Sequence, residues 1–227
     1  MKRALLLAFL VLLADQALKV WVKLSFHLGE SLSLCGRGCH WAYLQFVENR
    51  GMAFGMEFGG DTGKVTLTLF RIVAVVGIGY LMVRSARRQG STRITTSLAL
   101  VFAGALGNII DSTFYGVLFS ASLPYEKAVF LPADGGYSSL LHGAVVDMFY
   151  FPIWHGHFPQ WFPVWGGQEF EFFRPVFNIA DAAITIGIVM LLLSQRHEEK
   201  RERARRAAMD AAPVEEIPPP VPQQPVE

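Results

Sequence analysis

Apolar residues dominate four stretches of the chain, each about as long as a helix that crosses a hydrocarbon core of about 30 Å, which needs about 20 residues. They predict helices over roughly 4–24, 65–84, 94–111 and 176–195. Polar residues within these runs are few and gather near one end. The ones of interest are Asp15, Lys19 and Lys23 in the first run, Arg71 in the second, Asn108 and Asp111 in the third, and Asn178, Asp181 and Thr185 in the fourth. Steps of three and four put the members of each set on one helix face. The second long connection is rich in aromatic residues, from Phe149 through Trp154, Trp161, Phe162, Trp165, Phe170, Phe172 and Phe173. Such residues prefer the membrane–water interface, so this segment is expected to lie on the outer surface. The pattern predicts an all-α membrane protein with four transmembrane helices and two extracytoplasmic loop regions, the second long and aromatic-rich.

Composition agrees: 227 residues at 52% hydrophobic content and a mean hydropathy of +0.34 leave little for a separate soluble domain. The net charge of +1 says little, but its distribution sets topology. Basic residues cluster at Lys2-Arg3, between Arg84 and Arg93, and from Arg196 to Arg206. The positive-inside rule places all three clusters in the cytoplasm, which requires an even number of spans and turns both long loops outward. The basic start and the run from Ala4 to Ala14 imitate a signal peptide. No small-x-small cleavage site follows and the apolar pattern resumes through Val22, so an uncleaved helix is expected. Residues 1–195 form the membrane domain in this reading, and 196–227 a basic, then proline-rich cytoplasmic tail expected to be disordered. Cys35 and Cys39 fall in the outer loop, where a local disulfide and two free thiols are both compatible with the spacing.

The chemistry-bearing residues are acids in apolar company. Asp147 lies in Gly143-Ala144-Val145-Val146-Asp147-Met148-Phe149 and Asp181 in Phe177-Asn178-Ile179-Ala180-Asp181. An ionised Asp in hydrocarbon costs several kcal/mol, which makes each a functional-site hypothesis. The predicted topology brings Asp111, Asp147 and Asp181 to one depth at the outer face. Two carboxylates within about 3 Å share a proton, so one can deprotonate water while the other protonates a carbonyl or leaving amine. Asp15 and Lys19 read either as a pair that makes the helix tolerable in lipid, with the lysines snorkelling outward, or as support for an outward pocket. Arg71 reads as snorkelling or as a counter-charge to that pocket. His142, His155 and His157 lie near Asp147 in sequence, but no His-Glu-x-x-His helix accompanies them, so no metal is expected.

Five blocks resemble those of lipoprotein signal peptidase: Asp15-Gln16 with Lys19, Asn49-x-Gly51-x-Ala53-Phe54-Gly55, Gly107-Asn108-Ile-Ile-Asp111, Gly143-x-Val145-Val146-Asp147 and Phe177-Asn178-x-Ala180-Asp181. They occur in family order over residues 10–195. The resemblance implies a four-helix signal peptidase II in the bacterial cytoplasmic (inner) membrane. Such an enzyme removes signal peptides from diacylglyceryl-modified prolipoproteins, cutting just before the lipidated cysteine. It further implies no cofactor, membrane lipid as a partner, no nucleic acid, and inhibition by globomycin-type cyclic peptides. By motif, Asp147 and Asp181 match the catalytic pair. Asn108, Asp111, Asn178, Asp15 and Asn49 match supporting polar positions, and Gly51, Ala53 and Phe54 a substrate loop. In two places the chain departs from the family. Ser112 stands where Arg usually follows the Asn-x-x-Asp block, and the stretch 117–142 interrupts the path from Asp111 to Asp147. Asp147 is the favoured second acid because its Gly-x-Val-Val-Asp context is intact, and the inserted stretch is expected to be an outer lid without chemistry of its own. A non-enzyme alternative is a small polytopic transporter or assembly protein with a polar outward-facing pocket, which would spread its polar residues through the membrane depth.

Overall fold

The structure is a computed structural model that describes residues 1–36, 38, 40–50, 60–88 and 91–210. Four of its helical segments are long and apolar enough to cross a membrane: α1 (Lys2–Ser25), α2 (Gly60–Arg87), α3 (Thr92–Ile110) with its continuation to Leu118, and α5 (Ile179–Asp210). Within hydrocarbon a helix satisfies its own backbone, so uninterrupted apolar runs fold this way regardless of partners. Leu5, Leu6, Phe9 and Leu13 on α1, and Phe70, Val73 and Val76 on α2, are exposed on the outside of the bundle, where lipid covers them in a multi-pass membrane protein.

Helix α3 is central and packs against α1, α2 and α5. Small residues permit its close approach to α5. A Cβ at Gly104 would lie 2.2 Å from the Ala180 carbonyl oxygen, and one at Gly187 would lie 2.7 Å from Val101 Cγ2. A Cβ at Gly107 would meet Asp15 Oδ2 at 2.6 Å, so this glycine makes room for an acid of α1.

After Ile110 the helix widens into a π-helical turn, Asp111–Tyr115, then closes with one α-turn, α4 (Gly116–Leu118). Single π-turns of this kind are frequent at functional sites. The inserted stretch leaves α4 and folds back onto the widened turn. Leu141 N donates to Thr113 O at 3.0 Å and Gly143 N to Ser112 O at 2.9 Å, while Ser138 N reaches Gly116 O at 2.9 Å. The two motif halves that the insertion separates in sequence are thereby adjacent in space.

The expectation of an all-α protein needs correction. Strands β1 (Ser31–Ser33), β2 (Tyr43–Asn49) and β3 (Val145–Tyr150) form an antiparallel sheet in that order. Val146 and Met148 enter an apolar core with Val22, Phe26, Leu44, Phe46, Tyr115 and Phe119. Successive side chains of a strand alternate in face, so Asp147 points the other way. A second, two-stranded sheet pairs β4 (Trp154–His157) with β5 (Glu169–Phe172) and exposes Trp154, Trp161, Val164 and Trp165. Both sheets lie in connections read from sequence as loops, because strands this short have no sustained period and depend on distant partners.

Helix α5 also differs from its predicted 176–195. It starts at Ile179, because Asn178 caps it, and it continues to Asp210. Arg, Glu, Lys and Ala favour helix after Gln195, with Glu199–Arg203 and Glu202–Arg206 at i,i+4 spacing. Cys35 is disulfide-bonded, which resolves the open alternative for this residue; Cys39 lies outside the described residues.

Candidate active site

The first turn of α5 is built by reciprocal capping. Asp181 N donates to Asn178 Oδ1 at 2.8 Å, and Asn178 N donates back to Asp181 Oδ2 at 3.3 Å. This is a capping box with Asn and Asp in place of the usual residues. Asp15 of α1 accepts a third otherwise unpaired donor, Ala180 N, at 2.8 Å. The positive end of the helix dipole also favours negative charge in this turn.

The Asn178 amide joins that turn to the sheet. Its Nδ2 lies 2.6 Å from Asp147 Oδ1, 3.2 Å from Asn108 Oδ1 and 3.3 Å from the Val146 carbonyl. Asn108 in turn donates to Asp181 Oδ1 at 2.8 Å. Asp147 and Asp181 therefore belong to one hydrogen-bond network, bridged by two amides. A backbone pair holds strand and helix together just behind it: Phe149 N donates to Phe177 O at 2.7 Å and Phe177 N to Phe149 O at 3.0 Å. Asp147 is 4% exposed. Burial, and next the charge of Asp181, push its carboxyl up to about 7 against the opposing pull of Lys19, Asn178 and Asn49. Asn49, at the end of β2, lies on the sheet face of Asp147, two residues from Val47, the partner of Asp147. Arg71 of α2 is half-buried.

Asp111 sits differently. It is 0% exposed and its carboxylate lies 2.7 Å from Lys19 Nζ, which also reaches Asp15 at 2.9 Å and Asn108 Oδ1 at 2.8 Å. Gln16 adds bonds to Asp111 Oδ1 at 2.9 Å and to the Gly107 carbonyl at 3.2 Å, and accepts from Tyr115 Oη at 3.2 Å. Ser112 is buried and donates to its own helix at Asn108 O, 2.9 Å away. The lysines of α1 do not snorkel: Lys19 and Lys23 are both 0% exposed. Their spacing from Asp15 was the signal in the sequence, which showed the Asp15–Lys19 pair but not the partners on other elements. Glu48, the partner of Lys23, carried no such signal.

Of the positions predicted from sequence, Asp147, Asp181, Asn108, Asn178 and Asn49 converge, while Asp15 and Asp111 form the layer beneath them. Gly51, Ala53 and Phe54 lie outside the described residues. His157 pairs with Glu169 at 3.4 Å on the exposed second sheet, and His142 Nδ1 lies 2.9 Å from Ser139 Oγ.

A family model described as signal peptidase (SPase) II matches residues 7–196. A lipoprotein signal peptidase of Porphyromonas gingivalis is 49% identical over 188 residues, covering 82% of this chain and 80% of the relative. One from Amoebophilus asiaticus is 35% identical over 193 residues, covering 84% and 76%. A solved structure of a bacterial membrane enzyme superposes with a TM-score of 0.57 at 22% identity, over 88% of this chain and 92% of the other, which is a likeness of fold.

Proposed function

The chain belongs to the signal peptidase II family, and from that premise we propose that its prolipoprotein-cleaving activity runs on an aspartyl dyad of Asp147 and Asp181. The observation that carries this reading is the double amide bridge, Asn178 to Asp147 and Asn108 to Asp181, which holds two carboxyl groups from separate elements in one network. Repulsion between the two carboxylates favours a single proton on the pair. Asp147, buried and pushed up to about 7, carries that proton and donates it to the scissile carbonyl. Asp181 accepts a proton from the attacking water, then gives it to the leaving amine as the carbon–nitrogen bond breaks, while Asp147 takes its proton back from the collapsing diol. Arg71 offsets the charge of the pair. Asp111 is a poor second acid, because Lys19 and Gln16 occupy its carboxylate.

The substrate is a prolipoprotein with a diacylglyceryl-modified cysteine, cut just before that cysteine. The polar site at the outer ends of α3 and α5, beside lipid-facing surfaces, suits a substrate whose acyl chains stay in the bilayer. Globomycin-type peptides occupy the same site. The basic ends at Lys2-Arg3, Arg84–Arg93 and Arg196–Arg206 lie in the cytoplasm and the dyad faces outward, and no metal or other cofactor takes part. Residues 1–195 form the membrane domain and 196–227 its cytoplasmic tail, the first part of which continues α5.

A gel-shift assay on diacylglyceryl-modified prolipoprotein tests the dyad. Asp147→Asn and Asp181→Asn should each abolish cleavage while the protein still inserts in the membrane. Full activity in either variant sinks the assignment, and loss in Asp111→Asn with full activity in Asp147→Asn would move the role to Asp111.

A further inference from the structure

The insertion 117–142 contributes side chains to a second buried polar cluster, one helical turn along α1 from Lys19. Lys23 forms an ion pair with Glu48 of β2 and a hydrogen bond to Ser122 Oγ at 2.9 Å, and Ser122 donates to Glu48 at 2.7 Å. The ammonium also lies 4.8 Å from the ring centre of Tyr137 and 5.5 Å from that of Phe119. A buried charge needs such company, because an unpaired one costs several kcal/mol. Ser122, Tyr137 and Phe119 all come from the insertion or its start, and Phe119 and Ser122 are buried.

This cluster touches the acid-bearing strand at two points. Glu48 pairs with Val146 in the sheet and Val47 with Asp147, while the next residue, Asn49, pairs with Val145 on the sheet face that Asp147 shares and helps hold its carboxyl down. Tyr137 Oη accepts from Ala144 N at 2.6 Å, just where β3 begins. We infer that Lys23, Glu48, Ser122 and Tyr137 form a positioning cluster that fixes Asp147 through Asn49 and Ala144, so that the insertion is a built-in part of the cleavage site rather than a detachable lid. None of the four touches the reacting atoms. The inference rests on the dyad reading above, but its cluster is separate from the motif residues.

The test uses the full chain in membranes, with Lys23→Met, Ser122→Ala, Tyr137→Phe and the exposed insertion residue Tyr125→Ala as a control. A displacement of about 1 Å at a reacting group costs up to about 100-fold in rate. Lys23→Met should therefore lose most of that in kcat, the two smaller variants less, all with KM within about threefold. Tyr125→Ala should match wild type, because that side chain is 78% exposed. Removing Glu48 as well, in Lys23→Met/Glu48→Gln, should recover part of the loss. The discriminating readout is the pH profile. Asp147 is faced by Asp181 of α5, Lys19 of α1 and Arg71 of α2, none of which these variants alter, so release of Asn49 alone should move its alkaline limb to higher pH. Should Lys23→Met fail to fold, Ser122→Ala and Tyr137→Phe decide. Wild-type kcat and an unmoved limb in both overturn the inference, as does a change confined to KM. If wild type itself does not cleave the modified prolipoprotein, the dyad reading falls instead. The infrared carboxyl band that Asp147→Asn removes then still reports whether the cluster braces Asp147.

Discussion

Replacing Asn178 separates two jobs that one side chain performs. Its oxygen caps α5, and its nitrogen bridges Asp147, Asn108 and the Val146 carbonyl. Serine caps a helix about as well as asparagine, whereas alanine costs about 1 kcal/mol at that position. Asn178→Ala should accordingly be about 1 kcal/mol less stable than Asn178→Ser in thermal unfolding in detergent. Both variants lose the amide donors. A hydrogen bond to a charged group contributes about 1.5–3 kcal/mol, which corresponds to roughly ten- to hundredfold in rate if it is needed in the transition state. Because the Asn178 bond holds the Asp147 carboxyl down from an even higher value, its loss should also move the alkaline limb of kcat/KM upward from about pH 7. The assay is cleavage of modified prolipoprotein across pH with all three proteins. If Asn178→Ser cleaves like wild type with an unmoved limb, the amide bridge does not organise the dyad.

Other perturbations probe separate parts of the argument. Lys19→Met leaves Asp15 and Asp111 buried without their cation and should lower stability by about 3–5 kcal/mol, with partial recovery in Lys19→Met/Asp111→Asn, measured by thermal unfolding. Asp147 has a carboxyl pushed up to about 7 from 3.8, so the folded state binds its proton more tightly than the unfolded chain. Its contribution is present below about pH 4 and is lost as pH rises toward about 7, and Asp147→Asn should flatten that part of the stability profile. Gly104→Ala forces a Cβ into the Ala180 carbonyl and should part α3 from α5, with loss of cleavage. Gly77→Ala, with open space around it, should leave activity intact and stabilise α2 by about 0.5–1 kcal/mol. Reporters fused after Arg88 and after Ala207 should read cytoplasmic and one near Gly135 external; an external signal from Ala207 would contradict four spans.

Much of the fold was legible because lipid leaves a long apolar run few choices. A helix is the one open structure that satisfies its backbone there, so all four spans followed from hydropathy and needed no knowledge of partners. The acids were legible for a related reason, since a carboxyl group in apolar company is costly wherever it ends up. Tertiary structure decided the rest. Val145–Tyr150 is a strand only because β2 lies beside it, and the insertion closes on the π-turn through bonds between residues far apart in the chain. Lys19 and Lys23 carry the same local pattern whether they reach for water or for buried carboxylates. Asp15, Glu48 and Asp111 come from three different elements, and only their convergence around these amines made burial the lower-energy choice. The raised carboxyl of Asp147 has the same origin, because burial and the nearness of Asp181 are properties of the assembled site and not of either motif.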